Sequence, residues 1–452
     1  MKFVDYHLEK PTRSLSRQLA KACDKDMKVA VWNAFVDSNL SGVTDDDFSI
    51  LPRVLPASYF PSIKRTAYLI TKFTMKLLSL PEKEIRAIIP PGPIRDHLIN
   101  NLEVLKYRNG RITGSYRFDM AIVDPPDPRH PPQLLELNEI GFDGLARSSF
   151  FQKTLLSLLP QFKNRFKSLD TAAAEVRNMQ RLGPEVARIQ YDSYNWDEEY
   201  LVQTAEKMGS KLRLISPSQF GLKIDHDQDD TRLLEQKAVK LINGRTAIGS
   251  WYPDAVNFSF AYTLDDYQDG HALYRNIVRS KTPQYGPFLT GLVAAKSILT
   301  LLSDSHLQKK LLGKSNLLGT SILPAELLSE SKMSEAEMRR NQVLKFTDGY
   351  GGKHVFMNQD IIKKLTKIPQ NERHEWILQK KTKLNLIELD GILSRPKQGI
   401  SDLGVFVEFD WSKDKFQHFE VGGLMSRATN KSLKVNVSAG GCQVAILLDR
   451  KA

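Results

Sequence analysis

Polar side chains recur two residues apart in two predicted strands, and this spacing could support metal chemistry. Arg117 and Asp119 lie in RFDMAIV, and Glu136 and Asn138 lie in LLELNEIG. Residues two apart project from one face of a strand, and burying such groups is costly unless they are paired or bound to a metal. Aspartate, glutamate and asparagine supply the oxygen ligands that suit Mg²⁺. The alternative is an amphipathic edge strand that faces solvent.

A glycine-rich turn between two predicted strands could bind phosphates. The strand that contains Lys345 leads into residues 347–352 (TDGYGG) and out into a second strand, HVFMN. Backbone N–H groups of such a loop can cover a phosphate chain, and Lys345 would then pair with phosphate oxygens. The alternative is an ordinary glycine-containing hairpin. The spacing GxxxxGK[ST] of a P-loop is absent from the sequence.

Two further cations could contact an anionic ligand. Lys296 lies in the apolar stretch AAKSILTLL, where a lysine usually extends its ammonium group to water; a second phosphate contact is the functional alternative. Arg427 precedes a loop of small residues at 436–441. An arginine fork suits a carboxylate or a phosphate, and a surface arginine beside a turn is the alternative.

The elements that must hold these residues indicate an α/β or α+β protein. Apolar residues three and four apart predict a helix over residues 62–80. Residues 111–144 are typical of two strands around a proline-rich turn. From residue 185 a strand–helix–strand pattern predicts a parallel pair. Further helices are predicted over 271–279 and 290–303, and the last third of the chain is rich in predicted strands.

Composition excludes several classes of protein. The chain has 452 residues, 41% of them hydrophobic and 26% charged, which is typical of a globular protein and not of a disordered, collagen-like or disulfide-stapled one. Cys23 and Cys442 cannot form a disulfide framework or a CxxC zinc site, so a reducing cytoplasmic compartment is expected. The first ten residues lack a signal-peptide core, and Lys296 interrupts the longest apolar stretch, so no membrane association is expected.

The charge balance is strongly basic. Sixty-four Lys and Arg residues against 52 Asp and Glu give a net charge of +12, and the isoelectric point is about 9.4. Such a balance attracts polyanions, although a solvated cationic surface explains it equally well. The basic residues are spread along the chain and no nucleic-acid-binding motif is recognisable. We therefore expect no nucleic-acid partner.

Taken in order, these motifs resemble those of circularly permuted ATP-grasp ligases. The nearest likeness is the synthetase domain of glutathionylspermidine synthase, and eukaryotic glutathione synthetase is more distant. The resemblance covers roughly residues 110–452 and includes EWILQKK (375–381), which is similar to the hinge that holds adenine. It implies a permuted ATP-grasp fold with four regions. These are a helical N-terminal region (1–110), a metal-binding part (111–184), a βαβ substrate-binding unit (185–290) and an ATP-binding lobe with the closing strands (291–452).

The resemblance also implies site roles. The implied magnesium ligands are Asp119, Glu136 and Asn138, and the implied catalytic residues are Arg117 and Arg427. The implied ATP-binding residues are Lys296, Lys345, Asp348, Gly349, Gly351, Gly352, Ile377, Gln379 and Lys380, with Asp348 also a candidate metal ligand.

The implied activity is ATP-dependent ligation of a small-molecule carboxylate to an amine through an acyl phosphate, with Mg²⁺, ATP and a homodimeric enzyme. Residues 139–144 (EIGFDG) lack the serines and cysteine that hold glutathione in glutathionylspermidine synthase, so glutathione is not the expected substrate. Two other classes stay open. A kinase could use the same lysines and magnesium ligands, and a catalytically inactive nucleotide-binding scaffold could retain them.

Overall fold

The structure is a computed structural model, and it describes most of the chain. The described residues are 18–19, 22, 25–38, 48–89, 95–96, 98–99, 102, 110–122, 127, 129–138, 144–183, 185–189, 196–215, 240–242, 245–247, 257–260, 284–285, 296–347, 354–389, 398–429, 435 and 441–451.

Helices and strands alternate along these residues. The helices are α1 (Lys25–Asp37), α2 (Phe60–Leu78), α3 (Glu82–Ile88), α4 (Leu145–Leu158), α5 (Thr171–Met179), α6 (Trp196–Lys207), α7 (Ile298–Ser303), α8 (Ser305–Leu312), α9 (Glu335–Asn341) and α10 (Gln359–Leu365). The first ten strands are β1 (Phe48–Pro56), β2 (Ile112–Ala121), β3 (Gln133–Asn138), β4 (Phe166–Lys167), β5 (Glu185–Ile189), β6 (Lys211–Ile215), β7 (Lys240–Ile242), β8 (Arg245–Ala247), β9 (Asn257–Phe260) and β10 (Gln284–Tyr285). The remaining strands are β11 (Ala325–Leu327), β12 (Gln342–Phe346), β13 (Val355–Met357), β14 (Trp376–Lys380), β15 (Asn385–Glu388), β16 (Gln398–Ser401), β17 (Leu403–Ser412), β18 (Lys415–Thr429) and β19 (Cys442–Asp449).

A mixed sheet of 13 described strands forms the centre of the molecule. Its main path runs β1-β19-β18-β17-β2-β10-β9-β5-β6, with β3 paired to β2, β4 to β19, and β15 with β16 beside β18. The β17–β18 and β17–β2 pairs are antiparallel, whereas β5, β6, β9 and β10 run parallel to their neighbours. The strand–helix–strand unit predicted from residue 185 is confirmed as β5–α6–β6.

Helices cover both faces of this sheet. On one face, α2, α7 and α8 pack against even-numbered residues of β2 such as Phe118 and Met120. On the other face, α1, α4, α5 and α6 pack against residues that include Phe406 and Tyr285. The odd-numbered side chains of β2 point to this second face because a strand alternates its side chains. The predicted helix over 62–80 is confirmed as α2, whose apolar stripe is buried.

A smaller antiparallel sheet carries the predicted glycine-loop hairpin. Its order is β11-β14-β12-β13, and α9 and α10 pack beside it around Leu344, Ile361 and Trp376. Strands β12 and β13 pair as the hairpin motif predicts. Within the described residues, no helix has both the length and the apolar character that crossing a bilayer requires.

One element differs from the sequence-based expectation. The sequence predicts a mostly helical region over 1–110, whereas the structure also contains β1 there, paired in parallel with β19. All nine β1 residues are buried, so the strand lacks the polar–apolar alternation that marks a half-buried strand. Pro52 falls where the register shifts between Ser49 and Arg53, which is where a strand tolerates proline. The four domain boundaries stay a prediction, and the helix predicted over 271–279 lies outside the described residues.

Candidate functional site

Strands β2 and β3 bring the predicted polar pairs face to face. In their antiparallel register Asp119 lies opposite Glu136, and Arg117 lies opposite Asn138. Arg117 and Asp119 are buried, at 8% and 4% exposure, so they do not face solvent as the edge-strand alternative requires. Strand β3 lies beside β2 off the main path of the sheet. The Glu136 side chain is accordingly 27% exposed.

The Asp119 carboxylate accepts hydrogen bonds from three side chains. Arg117 Nε donates to Oδ1 at 2.9 Å, and Asn138 Nδ2 donates to Oδ2 at 3.2 Å. Arg427 Nη2 lies 2.8 Å from the same Oδ2. Burial alone would raise the pKa of Asp119, but the charges of Arg117 and Arg427 outweigh it and hold that pKa below its ordinary value. Asp119 is therefore an anion clamped between two guanidinium groups.

Arg427 is shared between Asp119 and a second carboxylate, Asp402, which the sequence analysis missed. Arg427 Nε donates to Asp402 Oδ2 at 3.1 Å, and the Arg427 N–H donates to Oδ1 at 3.1 Å. Burial, followed by repulsion from Asp119, raises the pKa of Asp402. Asp402 lies between β16 and β17. Arg53 of β1 supports this connection by donating to the Asp402 carbonyl oxygen and to Ser401 Oγ, both at 2.9 Å. Arg427 thus lies within a strand and is not a surface residue beside a turn.

Two lysines from different elements contact β3 beside the Asp119 carboxylate. Lys296 Nζ lies 3.0 Å from Glu136 Oε1, and Lys345 Nζ donates to the Leu135 carbonyl oxygen at 2.9 Å. Neither lysine extends to water, because their exposures are 4% and 7%. Burial, with a smaller contribution from Lys296, lowers the pKa of Lys345 to about 8, although Glu136 and Asp119 oppose that shift.

The position of Lys296 corrects one expectation. The sequence predicts a helix over 290–303 with Lys296 on its apolar face. In the structure Lys296 lies in the turn before α7, which begins at Ile298, and residues 290–295 lie outside the described residues. The Lys296 N–H donates to the Thr347 carbonyl oxygen at 2.9 Å. This contact ties the turn to the end of β12 and explains how Lys296 comes close to the site.

The predicted adenine-binding residues lie on β14, at the border of the two sheets. Ile377 faces Lys345 of β12 on one side and Leu327 of β11 on the other. Gln379 Nε2 donates to the Leu134 carbonyl oxygen at 3.2 Å, and the Lys380 N–H donates to the Pro324 carbonyl oxygen at 2.8 Å. The Gln379 contact places β14 next to β3, and an adenine contact stays a prediction. Four other predicted residues lie outside the described residues, namely Asp348, Gly349, Gly351 and Gly352.

The described side chains of this cluster have at least one positive charge in excess, and two when the buried Arg53 beside Asp402 is included. Four cations, Arg117, Lys296, Lys345 and Arg427, surround the carboxylates Asp119, Glu136 and Asp402. Among the described residues no group of three or more His, Cys, Asp or Glu side chains could hold a metal ion unaided. The oxygen-only donor set suits Mg²⁺, but each carboxylate is already paired with a cation. A magnesium ion therefore fits only together with an anion that attracts those cations.

A second buried polar cluster lies on the same face of the sheet, and the sequence analysis did not identify it. Glu175 of α5 accepts a hydrogen bond from Tyr285 Oη at 2.7 Å and lies 3.4 Å from Arg188 Nη1. Arg188 Nη2 also donates to Glu198 at 3.0 Å. Glu408 lies opposite Ser115, two residues before Arg117. The charged and tyrosine side chains of this cluster come from five separate elements with no shared motif, so spacing along the chain carries no signal for them.

The fold, a mixed sheet in a mixed α/β architecture, is similar to that of a glutathione synthetase-like protein. Among the matching solved structures is a glutathione synthetase-like effector from Globodera pallida, in its apo form. The TM-score is 0.67 at 14% sequence identity, over 98% of this chain and 100% of that one. No family model and no curated protein sequence matches the chain. At this level of identity the likeness establishes the fold alone.

Proposed function

We propose that the chain is an ATP-dependent carboxylate–amine ligase with a circularly permuted ATP-grasp fold. The observation that carries this proposal is the convergence of Lys296 and Lys345 on the β2–β3 carboxylates. Lys296 lies in the turn before α7, and Lys345 lies on β12 of the smaller sheet. An anion bound between the two sheets would therefore contact both lysines. The glutathione synthetase-like fold supports an ATP-dependent ligase.

The charge of the cluster favours a nucleotide triphosphate over a free metal ion. The described side chains hold a buried excess of cations, and such an excess is costly in a medium of low dielectric constant unless an anion joins it. A phosphate chain supplies that anion and frees the carboxylates that the cations now occupy. Asp119, Glu136 and Asn138 would then hold Mg²⁺, which offsets the repulsion between a carboxylate nucleophile and the phosphates when it is bound.

The proposed roles of the other site residues follow from where they lie around the β2–β3 carboxylates. Lys296 and Lys345 would bind phosphate oxygens, and Arg117 would stabilise charge on the transferred phosphoryl group. Arg427, held in place by Asp402, is proposed to orient a substrate carboxylate or phosphate. Residues 349–352 would cover the phosphates and exclude water, with Ile377, Gln379 and Lys380 near the adenine.

The proposed chemistry is a two-step transfer. A carboxylate oxygen attacks the γ-phosphorus and displaces ADP, which gives an acyl phosphate. The amine then attacks the acyl carbon, phosphate leaves with the bonding electrons, and the nitrogen loses a proton to give the amide. Positioning and electrostatics supply most of the catalysis, so no strong side-chain nucleophile is needed. Amino acids, short peptides and polyamines are the proposed substrates, and a cytoplasmic homodimer stays a prediction.

The test is ATP turnover with Mg²⁺ against a mixed panel of amino acids, peptides and polyamines. Mass spectrometry identifies products, and ³¹P NMR separates ADP plus phosphate from AMP plus pyrophosphate. We expect ADP, phosphate and a new amide mass. Glu136→Gln should reduce turnover by about 10²-fold or more, whereas the exposed Glu372→Gln should leave turnover unchanged.

Each alternative has its own outcome in this experiment. AMP with pyrophosphate would contradict the acyl phosphate and indicate adenylation. A stable phosphorylated product without amine would identify a kinase. Magnesium-dependent ATP binding without turnover across the panel would support the nucleotide-binding scaffold.

A further inference from the structure

One face of α2 is strongly basic. Arg65, Tyr68, Lys72 and Lys76 are three or four residues apart, so they form one stripe along the helix. The opposite stripe of α2 is buried against the sheet, and the helix contains no acidic residue. The stripe is about 16 Å long, because an α-helix rises about 1.5 Å per residue. The backbone positions of its basic residues are therefore fixed along the helix.

The tip of the β17–β18 hairpin extends this basic surface. Residues Lys413 and Asp414 form the turn, with positive φ values of 49° and 63°, and Lys415 follows. The hairpin packs against α2 through Tyr68, whose ring centroid lies 5.1 Å from that of Phe416 and 5.2 Å from that of Phe419. The three half-buried rings hold two basic elements side by side.

We call this surface the basic face and define it by its six cations, Lys64, Arg65, Lys72, Lys76, Lys413 and Lys415. The acid at its edge, Asp414, is paired with Lys76. Within the described residues Lys64, Arg65 and Lys72 form no ion pair. The fold thus concentrates charge that is spread along the sequence, over 64–76 and 413–415. Because α2 covers the face of the sheet opposite Arg117 and Asp119, the basic face is separate from the proposed ligase site.

We infer that the basic face binds the phosphate backbone of a single-stranded nucleic acid. A basic stripe along a helix in a protein of isoelectric point about 9.4 is the electrostatic footprint of nucleic-acid binding. The half-buried rings of Tyr68, Phe416 and Phe419 lie among the cations, where unpaired bases could contact them. This inference revises the expectation of no nucleic-acid partner, which rested on charge along the sequence and not in space.

A membrane surface is the other polyanion to consider, and the structure favours it less. Stable membrane binding by a basic helix also needs exposed apolar anchors. In the described part of the chain the exposed large hydrophobic residues are Val29 and Val36, both on α1. No such residue accompanies the cations of α2 or of the hairpin tip among the described residues.

The experiment compares two double charge reversals on the full chain. Arg65→Glu with Lys72→Glu alters the basic face. Lys363→Glu with Lys367→Glu, called the α10 variant, makes the same charge change on exposed residues within and directly after α10. Binding of fluorescein-labelled oligouridine is followed by anisotropy at several salt concentrations. The first variant should bind about tenfold or more weakly at low salt, with a shallower salt dependence. The α10 variant should stay within about twofold of the unaltered chain.

Three results would overturn the inference. These are equal losses in both variants, no binding by the unaltered chain, and binding to phosphatidylserine vesicles without binding to oligouridine. Thermal melts check that both variants fold. If the first variant unfolds, Arg65→Gln with Lys72→Gln replaces it and must show the same selective loss.

Discussion

Two buried charged clusters lie along the same face of the sheet, and they balance charge in opposite ways. Counted over the described side chains, the cluster around Asp119 has an excess of cations, and it lies beside β3, where Glu136 is 27% exposed. The cluster around Glu175 contains the carboxyl groups of Glu198 and Glu408 as well, with Arg188 as its cation among the described side chains. The described residues shield this cluster from solvent, because all four of these side chains belong to residues that are 8% exposed or less.

This difference distinguishes the proposed ligand site from a cluster with a structural role. An excess of buried cations beside a partly exposed strand favours an incoming anion. An excess of buried carboxyl groups can be neutralised by retained protons. Burial, then repulsion by Glu175 and Glu420, raises the pKa of Glu408 well above its ordinary value, and burial likewise raises the pKa of Glu198. Charge excess and access to solvent together therefore support the Asp119 cluster as the proposed ligand site.

The largest expected effect is the loss of Arg188 from the closed cluster. Arg188→Met would remove the partner of both Glu175 and Glu198 and leave two buried carboxyl groups without a cation. Removing one member of a buried ion pair costs about 3–5 kcal/mol, so the free energy of unfolding in urea should fall by that amount. Turnover of ATP by the folded fraction should persist.

Arg177→Met is the matched control, because Arg177 pairs with Glu420 at the surface with 46% of its side chain exposed. A surface pair contributes about 0–1 kcal/mol. Equal losses in the two variants would mean that the Glu175 cluster is not a buried charge network.

The cation-rich cluster should respond in the opposite way. Lys345→Met removes a desolvated lysine whose pKa is lowered to about 8, so the melting temperature should stay constant or rise. ATP turnover should fall by about 10²–10³-fold, the usual cost of losing one preorganised donor at a reacting centre. Lys367→Met is the control, since Lys367 is exposed. A stability loss with unchanged turnover would place Lys345 in a structural role.

The two-residue spacing within each strand predicted the β2–β3 part of the candidate site. Residues two apart share one face of a strand, whichever strand lies beside it. The hairpin with Lys345 followed from its glycine-rich turn. The contact of Lys296 with Glu136 could not come from spacing, since it joins segments about 160 residues apart in the chain, and only the family resemblance suggested it.

Asp402 and Arg53 were missed for a similar reason. Their roles depend on how β1, β16 and β18 meet, which no local pattern specifies. Strand β1 was missed because full burial removes its alternation and Pro52 interrupts its apolar run. Sequence patterns therefore identified residues that one pair of strands positions, and they failed where three or more distant elements meet.

The closure of the Glu175 cluster depends on two consecutive glycines in β18. A Cβ atom on Gly423 would overlap the side chain of Thr171 on α5, and one on Gly422 would overlap Glu408. Gly423→Ala should therefore push α5 from the sheet and cost about 1–3 kcal/mol of unfolding free energy. Gly404→Ala is the control, because its Cβ would lie 3.5 Å or more from any neighbour. A neutral Gly423→Ala would show that α5 is not tightly packed there.

The smallest expected effect is a change in the pH dependence of stability caused by Glu408. Its pKa is raised in the folded protein from the ordinary 4.5. The stabilisation from its bound proton is therefore fully present below that ordinary value and is lost as the pH rises towards the folded-state pKa. Glu408→Gln keeps the neutral shape but cannot titrate. Between about pH 5 and about pH 6 the variant should gain about 1 kcal/mol over the unaltered chain.

Urea unfolding of both proteins at the two pH values measures this gain, and Glu372→Gln, at an exposed site, should show none. The difference between chains isolates Glu408, because every other titrating group is common to both. A pH-independent difference would mean that Glu408 is ionised in the folded protein and balanced by a cation. In that case both clusters would use the same means of balancing charge, and the cation excess around Asp119 would no longer distinguish it as the ligand site.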